Sequence, residues 1–254
     1  AQEVFEGGLY AAEQVAQHGI MSAVPLRTKE GALSTLVEGS DGEFRPLALL
    51  RFVPGEPLRL EEAGDVALYG SLLGRTHRML LKGGGERVTF SIYDFLEDEA
   101  AYVAIQPGLA VLIRQTIEAV RAYEKRCQVT AGVIWADRVE ILCERETGRV
   151  GIIDWGAIER GPLLFDVALS VLWFFPEGSQ SHEAFLRAYL AEAPILASEL
   201  EGLGYYKALV CARQAKYFAY RVAANVTLGG SDSDGNKRNL MEARQALERL
   251  LVSL

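Results

Sequence analysis

Cysteine is scarce in this chain. The 254 residues hold Cys127, Cys143 and Cys211, widely spaced and with no CxxC pair. Their number and spacing exclude a disulfide framework, and the usage is that of a reducing compartment, so a soluble, cytoplasmic protein is expected. Cys143 and Cys211 lie in apolar runs and read as buried small hydrophobes. No segment reaches the ~18 uninterrupted apolar residues of a membrane span. No basic-then-apolar leader opens the chain, which begins at Ala1 and so leaves open whether its start is processed or truncated. Positive charge is also short: 26 Lys and Arg stand against 34 Asp and Glu, a net charge of −8. That balance argues against nucleic acid, whose binding rests on neutralising phosphates. An acidic surface suits a cationic substrate, and solubility alone explains it equally well. There is no internal repeat. With 50% hydrophobic and 24% charged residues, the chain is long enough for one large domain or two lobes around a real core.

The stretch that organises the rest is 129–170. A β-branched run (Val129, Thr130, Val133, Ile134) stops at Trp135-Ala136-Asp137. Val139 to Cys143 reads as a strand, Thr147-Gly148 as a turn, and Arg149 to Ile153 as a second strand that stops at Asp154-Trp155-Gly156. Two strands that each end on Asp put two carboxylates at one edge of a small sheet, where a rigid scaffold commonly holds its chemistry. Gly161-Pro162 reads as a chain break, and Asp166 as the start of an apolar helix to Phe175. Each Asp alone is an ordinary turn residue. Their joint spacing is the informative feature.

Around this stretch the periodicity predicts helices over 3–18, 65–81, 93–105, 108–127, 181–193, 205–226 and 236–252, with Asp65 and Ser181 as N-caps and Gly19 at a C-cap. Residues 31–38 and 44–53 read as an antiparallel hairpin around Gly39-Ser40-Asp41-Gly42. Lys82-Gly83-Gly84-Gly85 and 229–235 read as mobile loops, and the latter lacks the spacing of a calcium loop. Gly7-Gly8 follows no strand and lacks phosphate-loop spacing.

Trp135-Ala136-Asp137, Ile153-Asp154-Trp155-Gly156 and Gly161-Pro162-Leu163-Leu164-Phe165-Asp166-Val167-Ala168 resemble the His-Gly-Asp catalytic loop, the Ile-Asp-Trp/Phe metal site and the Gly-Asp/Pro-x-x-x-Asp-x-Ala segment of the aminoglycoside phosphotransferase and choline kinase superfamily. Leu73-Gly74-Arg75-Thr76-His77 resembles that family's Leu-Gly-x-x-His element, with His77 as a structural histidine. The resemblance implies an α+β, protein-kinase-like two-lobed fold. A reduced N-lobe (1–55, hinge near 51–55) would precede a mostly helical C-lobe (56–254).

By the same resemblance, Asp137 is the catalytic base for an acceptor hydroxyl and Asp154 a Mg²⁺ ligand. Asp166 is a brace for the catalytic loop, and Arg51, Phe52 and Val53 are the backbone hinge for the adenine of ATP. Glu6, or Glu3, is the helix glutamate that pairs with a phosphate-binding lysine; that lysine, its strand and the glycine-rich loop do not occur before it in this sequence. The family's second metal ligand, an Asn, corresponds to Leu142, and Glu140 is a candidate substitute. Aligning Ala131-Gly132-Val133 with His-Gly-Asp instead would remove the catalytic Asp. Trp173, Phe174, Tyr217 and Tyr220 are candidates for an acceptor pocket or for core packing. The implied function is ATP- and Mg²⁺-dependent phosphoryl transfer to a small-molecule hydroxyl, of an aminoglycoside, choline, amino alcohol or sugar. The alternative is an inactive pseudokinase that binds or regulates a protein partner.

Overall fold

The computed structural model describes residues 2–40, 42–98, 106, 108–156, 158–227 and 232–254. The expected helix at the N-terminus is α1 (Gln2–Gln17), which buries Leu9, Ala11, Ala12 and Val15. It ends at Gly19, whose φ of +86° is the left-handed conformation that glycine adopts without strain. The strands β1 (Met21–Ser22), β2 (Pro25–Leu26), β3 (Thr35–Glu38), β4 (Phe44–Leu47), β5 (Leu49–Leu50) and β6 (Glu56–Pro57) follow.

The expected hairpin forms between β3 and β4, with Thr35 opposite Leu47 and Glu38 opposite Phe44. The run 44–53 is not one strand. Leu49 and Leu50 leave that hairpin to pair with Leu26 and Pro25, so the chain changes partner at Ala48. Phe44, Leu47 and Leu49 remain solvent-exposed on these short strands, and so does Phe52 just after β5.

The sheet beneath the candidate site has the order β1-β9-β8-β6, where β8 is Glu140–Glu144 and β9 is Arg149–Ile153. The β8–β9 pair is antiparallel and closes through Thr147-Gly148; Gly148 has a φ of +69°. β1 joins β9 in parallel, Met21 opposite Gly151, a long-range pairing that carries no local sequence signal. Gly151 permits the close approach: a methyl group there would stand 3.1 Å from Met21 Cβ and 2.5 Å from Val53 Cγ1. Separately, β7 (Ala131–Ile134) pairs antiparallel with β10 (Glu159–Pro162). Gly161-Pro162 therefore ends a strand opposite Gly132 and Ala131, where a proline without an N–H is tolerated.

The helices are α2 (Ala63–Met79), α3 (Ile92–Glu97), α4 (Leu109–Glu124), α5 (Leu164–Trp173), α6 (Gln180–Glu192), α7 (Leu203–Ala223) and α8 (Ser233–Ser253). The expected helix 93–105 is seen only in its first part; 99–105 lie outside the described residues, as do 229–231 of the expected loop 229–235. The rest of that loop is helical, with Asp232 capping α8 by accepting a hydrogen bond from Gly235 N. Leu80–Gly84 forms a wide helical turn rather than the free glycine loop expected there. α5 is buried along nearly its whole length, consistent with its all-apolar face. α2 packs against α6 at Gly70 and Gly74, where an added methyl group would meet the Phe185 and Tyr189 carbonyl oxygens at 2.5 and 2.6 Å. Cys143 and Cys211 are buried and Cys127 is exposed. No helix among the described residues is long and apolar enough to cross a membrane.

Two expected caps are corrected. α6 is capped by Ser179, whose Oγ accepts from His182 N, rather than by Ser181. α2 starts after Glu62 without a side-chain cap. Asp65 lies inside its first turn and instead receives the Arg59 N–H (2.7 Å) and both terminal nitrogens of Arg145 (2.8 and 2.6 Å). The Arg145 hydrogen bonds hold its carboxyl below the usual aspartate range. Asp65→Asn is expected to lose roughly 1.5–3 kcal/mol at pH 7, the worth of charge-assisted hydrogen bonds. Folding lowers this pKa, so the contribution is complete above the unfolded value of about 3.9 and fades as pH falls through the folded value. Urea denaturation should therefore show the wild-type advantage shrinking between pH 7 and pH 3, and an equal advantage at both would contradict the assignment.

Candidate active site

The β8–β9 register fixes where the two predicted carboxylates stand. Glu140 pairs with Ile153, so the chain leading into β8 and the chain leaving β9 meet at the end of the ladder away from the Thr147-Gly148 turn. Asp137 lies three residues before Glu140 and Asp154 one residue after Ile153, and both are exposed. Their loops are tied together from beneath by Trp135 and Trp155, both buried, with ring centroids 4.8 Å apart. This tryptophan pair was not anticipated from the sequence, although its signal was present: a Trp lies beside each strand-ending Asp.

Both loops carry a non-glycine residue with left-handed backbone, Ala136 at φ 55° and Asp154 at φ 59°. Such residues cost on the order of 1–3 kcal/mol and persist only where the surroundings over-determine them. The left-handed conformation of Ala136 is one that glycine would adopt without strain. Ala131, Gly132 and Val133, the alternative match to His-Gly-Asp, lie within β7, paired to Pro162, Gly161 and Arg160.

What holds the loop is Asp166, 1% exposed at the start of α5. Its Oδ2 accepts from Trp135 N at 2.9 Å and its Oδ1 from Ala136 N at 3.2 Å. His77 Nε2 lies 3.1 Å from Oδ2, and His77 Nδ1 lies 2.9 Å from the Tyr189 hydroxyl. A carboxylate only accepts, so His77 Nε2 donates to Asp166, while His77 Nδ1 and the Tyr189 hydroxyl share a hydrogen bond; burial raises the Tyr189 hydroxyl pKa well above its usual value. His77 is thus a buried structural residue, as expected, and Asp166 is the brace.

The other predicted residues are less concentrated. Arg138 lies 3.5 Å from Glu140 and 5.2 Å above the Phe174 ring, so its guanidinium and the Glu140 carboxylate engage each other. Among the described residues, the Asp137 carboxylate accepts the neighbouring Arg138 N–H alone, at 2.7 Å. Leu142, at the Asn position, lies within β8 opposite Gly151. Among the described residues no group of three or more His, Cys, Asp and Glu could hold a metal ion. An exposed carboxylate such as Asp154 still suits the hard, water-rich coordination in which Mg²⁺ takes one or two protein carboxylates together with phosphate oxygens.

Glu6 on α1 accepts from Ser34 Oγ (2.6 Å) and Gln2 Nε2 (3.1 Å), and the Ser34 hydrogen bond chiefly holds its carboxyl below the usual range. Arg51 N donates to Val24 O at 2.8 Å, Phe52 is 85% exposed, and Val53 is buried against Gly151. Of the aromatic candidates, Trp173 lines a cavity of ≈ 350 Å³ with Phe218 and Gln214. Phe174 packs between Arg138 and Tyr69, and the Tyr217 hydroxyl accepts from Arg221. A buried pair unseen in the sequence, Glu159–Arg213 (2.8 Å), joins β10 to α7; burial raises the Glu159 carboxyl.

Two substitutions test the brace and the strained loop by thermal or denaturant unfolding. Asp166→Ala strands two amides and a histidine in the core and should cost at least about 3 kcal/mol. Ala136→Gly should be stabilising or neutral, since about 1–2 kcal/mol of left-handed strain is relieved against about 0.5–1 kcal/mol of added chain entropy. A clear loss of stability in Ala136→Gly would contradict the strain.

Residues 9–202 match the model of the phosphotransferase enzyme family. Homoserine kinase of Azorhizobium caulinodans is 26% identical over 207 residues, covering 75% of this chain and 61% of that protein's length. This chain thus spans less than two thirds of that relative. Among solved structures, an amicoumacin kinase in complex with AMP-PNP, Ca²⁺ and Ami superposes with a TM-score of 0.75 at 16% identity, over 98% of this chain and 78% of that one. A microcompartment-associated aminopropanol kinase gives 0.69 at 16%, over 100% and 83%. The choline kinase of Streptococcus pneumoniae gives 0.67 at 14%, over 96% and 80%. With the braced loop and paired strand ends described above, these matches establish an α+β kinase-like fold, and the chain belongs to the phosphotransferase enzyme family.

Proposed function

We propose that this chain carries out ATP- and Mg²⁺-dependent transfer of a phosphoryl group to a hydroxyl of a small molecule. The observation that carries the reading is the pair of exposed carboxylates, Asp137 and Asp154, held at one end of the β8–β9 ladder by a buried Asp166–His77 brace. Phosphoryl transfer asks for positioning and charge neutralisation more than covalent chemistry, and a rigid loop bearing one free carboxylate suits that demand.

In this reading Asp137 accepts the hydrogen bond of the acceptor hydroxyl, orients its oxygen and takes its proton as the bond to phosphorus forms. Arg138 does not neutralise it, being turned to Glu140 and Phe174. Asp154 is the metal ligand, and a bound Mg²⁺ supplies neutralisation of the phosphate oxygens. Glu140 is left to Arg138. The adenine lies along 51–53, where the Arg51 N–H is already used and the exposed Phe52 ring offers a stacking face. Glu6, ionised and fixed on α1, is in the state that pairs with a cation beside the phosphates. Residues 1–55 form the smaller lobe and 56–254 the larger. The names of the relatives point to an acceptor that bears both a hydroxyl and an amine, and the net charge of −8 complements one.

A second reading, a nucleotide-binding or partner-binding protein without transferase activity, is favoured by Leu142 at the Asn position and by the lack of a third ligand beside Asp154 among the described residues. Calorimetric titration with ATP, with and without Mg²⁺, separates the two. Metal-dependent binding that Asp154→Ala abolishes, followed by product formation from an amino alcohol that Asp137→Asn lowers by about 10²–10⁴-fold, supports the transferase. Binding that is absent, or indifferent to Mg²⁺ and to Asp154→Ala, sinks it.

A further inference from the structure

α1 contains two adjacent glycines, Gly7 and Gly8, both buried in mid-helix. Each costs the helix about 1 kcal/mol relative to alanine, so a packing reason is to be expected. The reason is close approach of backbone on two sides. A methyl group on Gly8 would stand 2.0 Å from the Trp155 carbonyl oxygen, and one on Gly7 would stand 2.7 Å from the Arg87 carbonyl oxygen. α1 therefore lies with its bare backbone directly against the residue that follows Asp154. The Trp155 side chain is fixed from the other direction, its Nε1 donating to Ile152 O at 3.3 Å and its ring resting on Trp135.

The two sides of this contact are unequally anchored. Behind Gly8, α1 is held by Ala11, Ala12 and Val15, which are fully buried in the core. Asp154 and Gly156 are exposed, and beside them is a cavity of ≈ 140 Å³ lined by Phe5, Leu9, Ala23 and Leu50. A side chain added at Gly8 would have to move either the Trp155 backbone or the helix, and the exposed residues on both sides of Trp155 make its loop the less anchored of the two.

We infer that Gly8 is a positioning residue: its missing side chain lets α1 seat the Trp155 backbone and thereby sets where the left-handed Asp154 carboxylate points. The inference rests on Asp154 as the metal ligand. Gly7 touches another segment and makes the matching control, since Gly7→Ala introduces the same methyl group in the same helix without meeting the Asp154 loop.

The test is ATP titration of wild type, Gly8→Ala and Gly7→Ala with and without Mg²⁺, alongside thermal unfolding of each. Gly8→Ala should reduce Mg²⁺-dependent affinity about tenfold or more and leave metal-free ATP binding unchanged. Gly7→Ala, with the milder clash, should also lose thermal stability yet keep the wild-type Mg²⁺ effect. A folded Gly8→Ala with the full Mg²⁺ effect overturns the inference. If Gly8→Ala does not fold, amide hydrogen exchange on wild type decides. Mg²⁺ and ATP together should slow exchange in both 6–12 and 152–156, and protection confined to 152–156 overturns it. Wild type that shows no metal-dependent ATP binding defeats the proposed function itself, and this inference with it, a result distinct from normal binding by Gly8→Ala.

Discussion

The structure depends first on one buried carboxylate. Removing Asp166 from water without partners would be prohibitive, and it is affordable only because two backbone amides and an imidazole converge on it. Those donors come from three places: the 135–136 turn, α2 through His77, and, one bond further out, α6 through Tyr189. The carboxylate thereby converts the packing of three helices into the position of a single loop. Every group hydrogen-bonded to the carboxylate is a donor, and these donors are held by different elements, so the network is rigid rather than adaptable.

That rigidity is offset by strain a few ångströms away. Ala136 and Asp154 both hold left-handed backbone, and the indole N–H of the buried Trp135 has no partner among the described residues. Folded proteins tolerate such costs where a precise arrangement is required, and here they gather on the two loops that bear the candidate carboxylates. A second concentration of cost lies where β10 meets α7, where Glu159, Arg213 and Gln214 each leave a buried polar atom unpartnered among the described residues.

What the sequence disclosed follows from how local each feature is. The β8–β9 hairpin, the strand-ending aspartates and the amphipathic helices are set by neighbours in the chain, and they were legible. The placing of Asp166 was legible through motif spacing. Caps were misassigned where two candidates compete within a few residues, as with Ser179 and Ser181, or where a better partner waits elsewhere, as Arg145 does for Asp65. The splitting of 44–53 between two partner strands, the parallel β1–β9 pairing and the glycine contacts of α1 and α2 arise from chain segments distant in sequence. A glycine pair looks the same whether it serves a turn, a phosphate or a close backbone approach, and only the fold distinguishes them.

The three thiols occupy three different environments: Cys127 on the surface after α4, Cys143 inside the β8–β9 sheet and Cys211 within α7. A thiol reagent should therefore modify the native chain once, quickly, and reach the other two sulfurs only when the segment around each opens. Since those segments belong to the sheet under the candidate site and to the helical layer, the order in which they become reactive measures whether the two parts come apart together or separately.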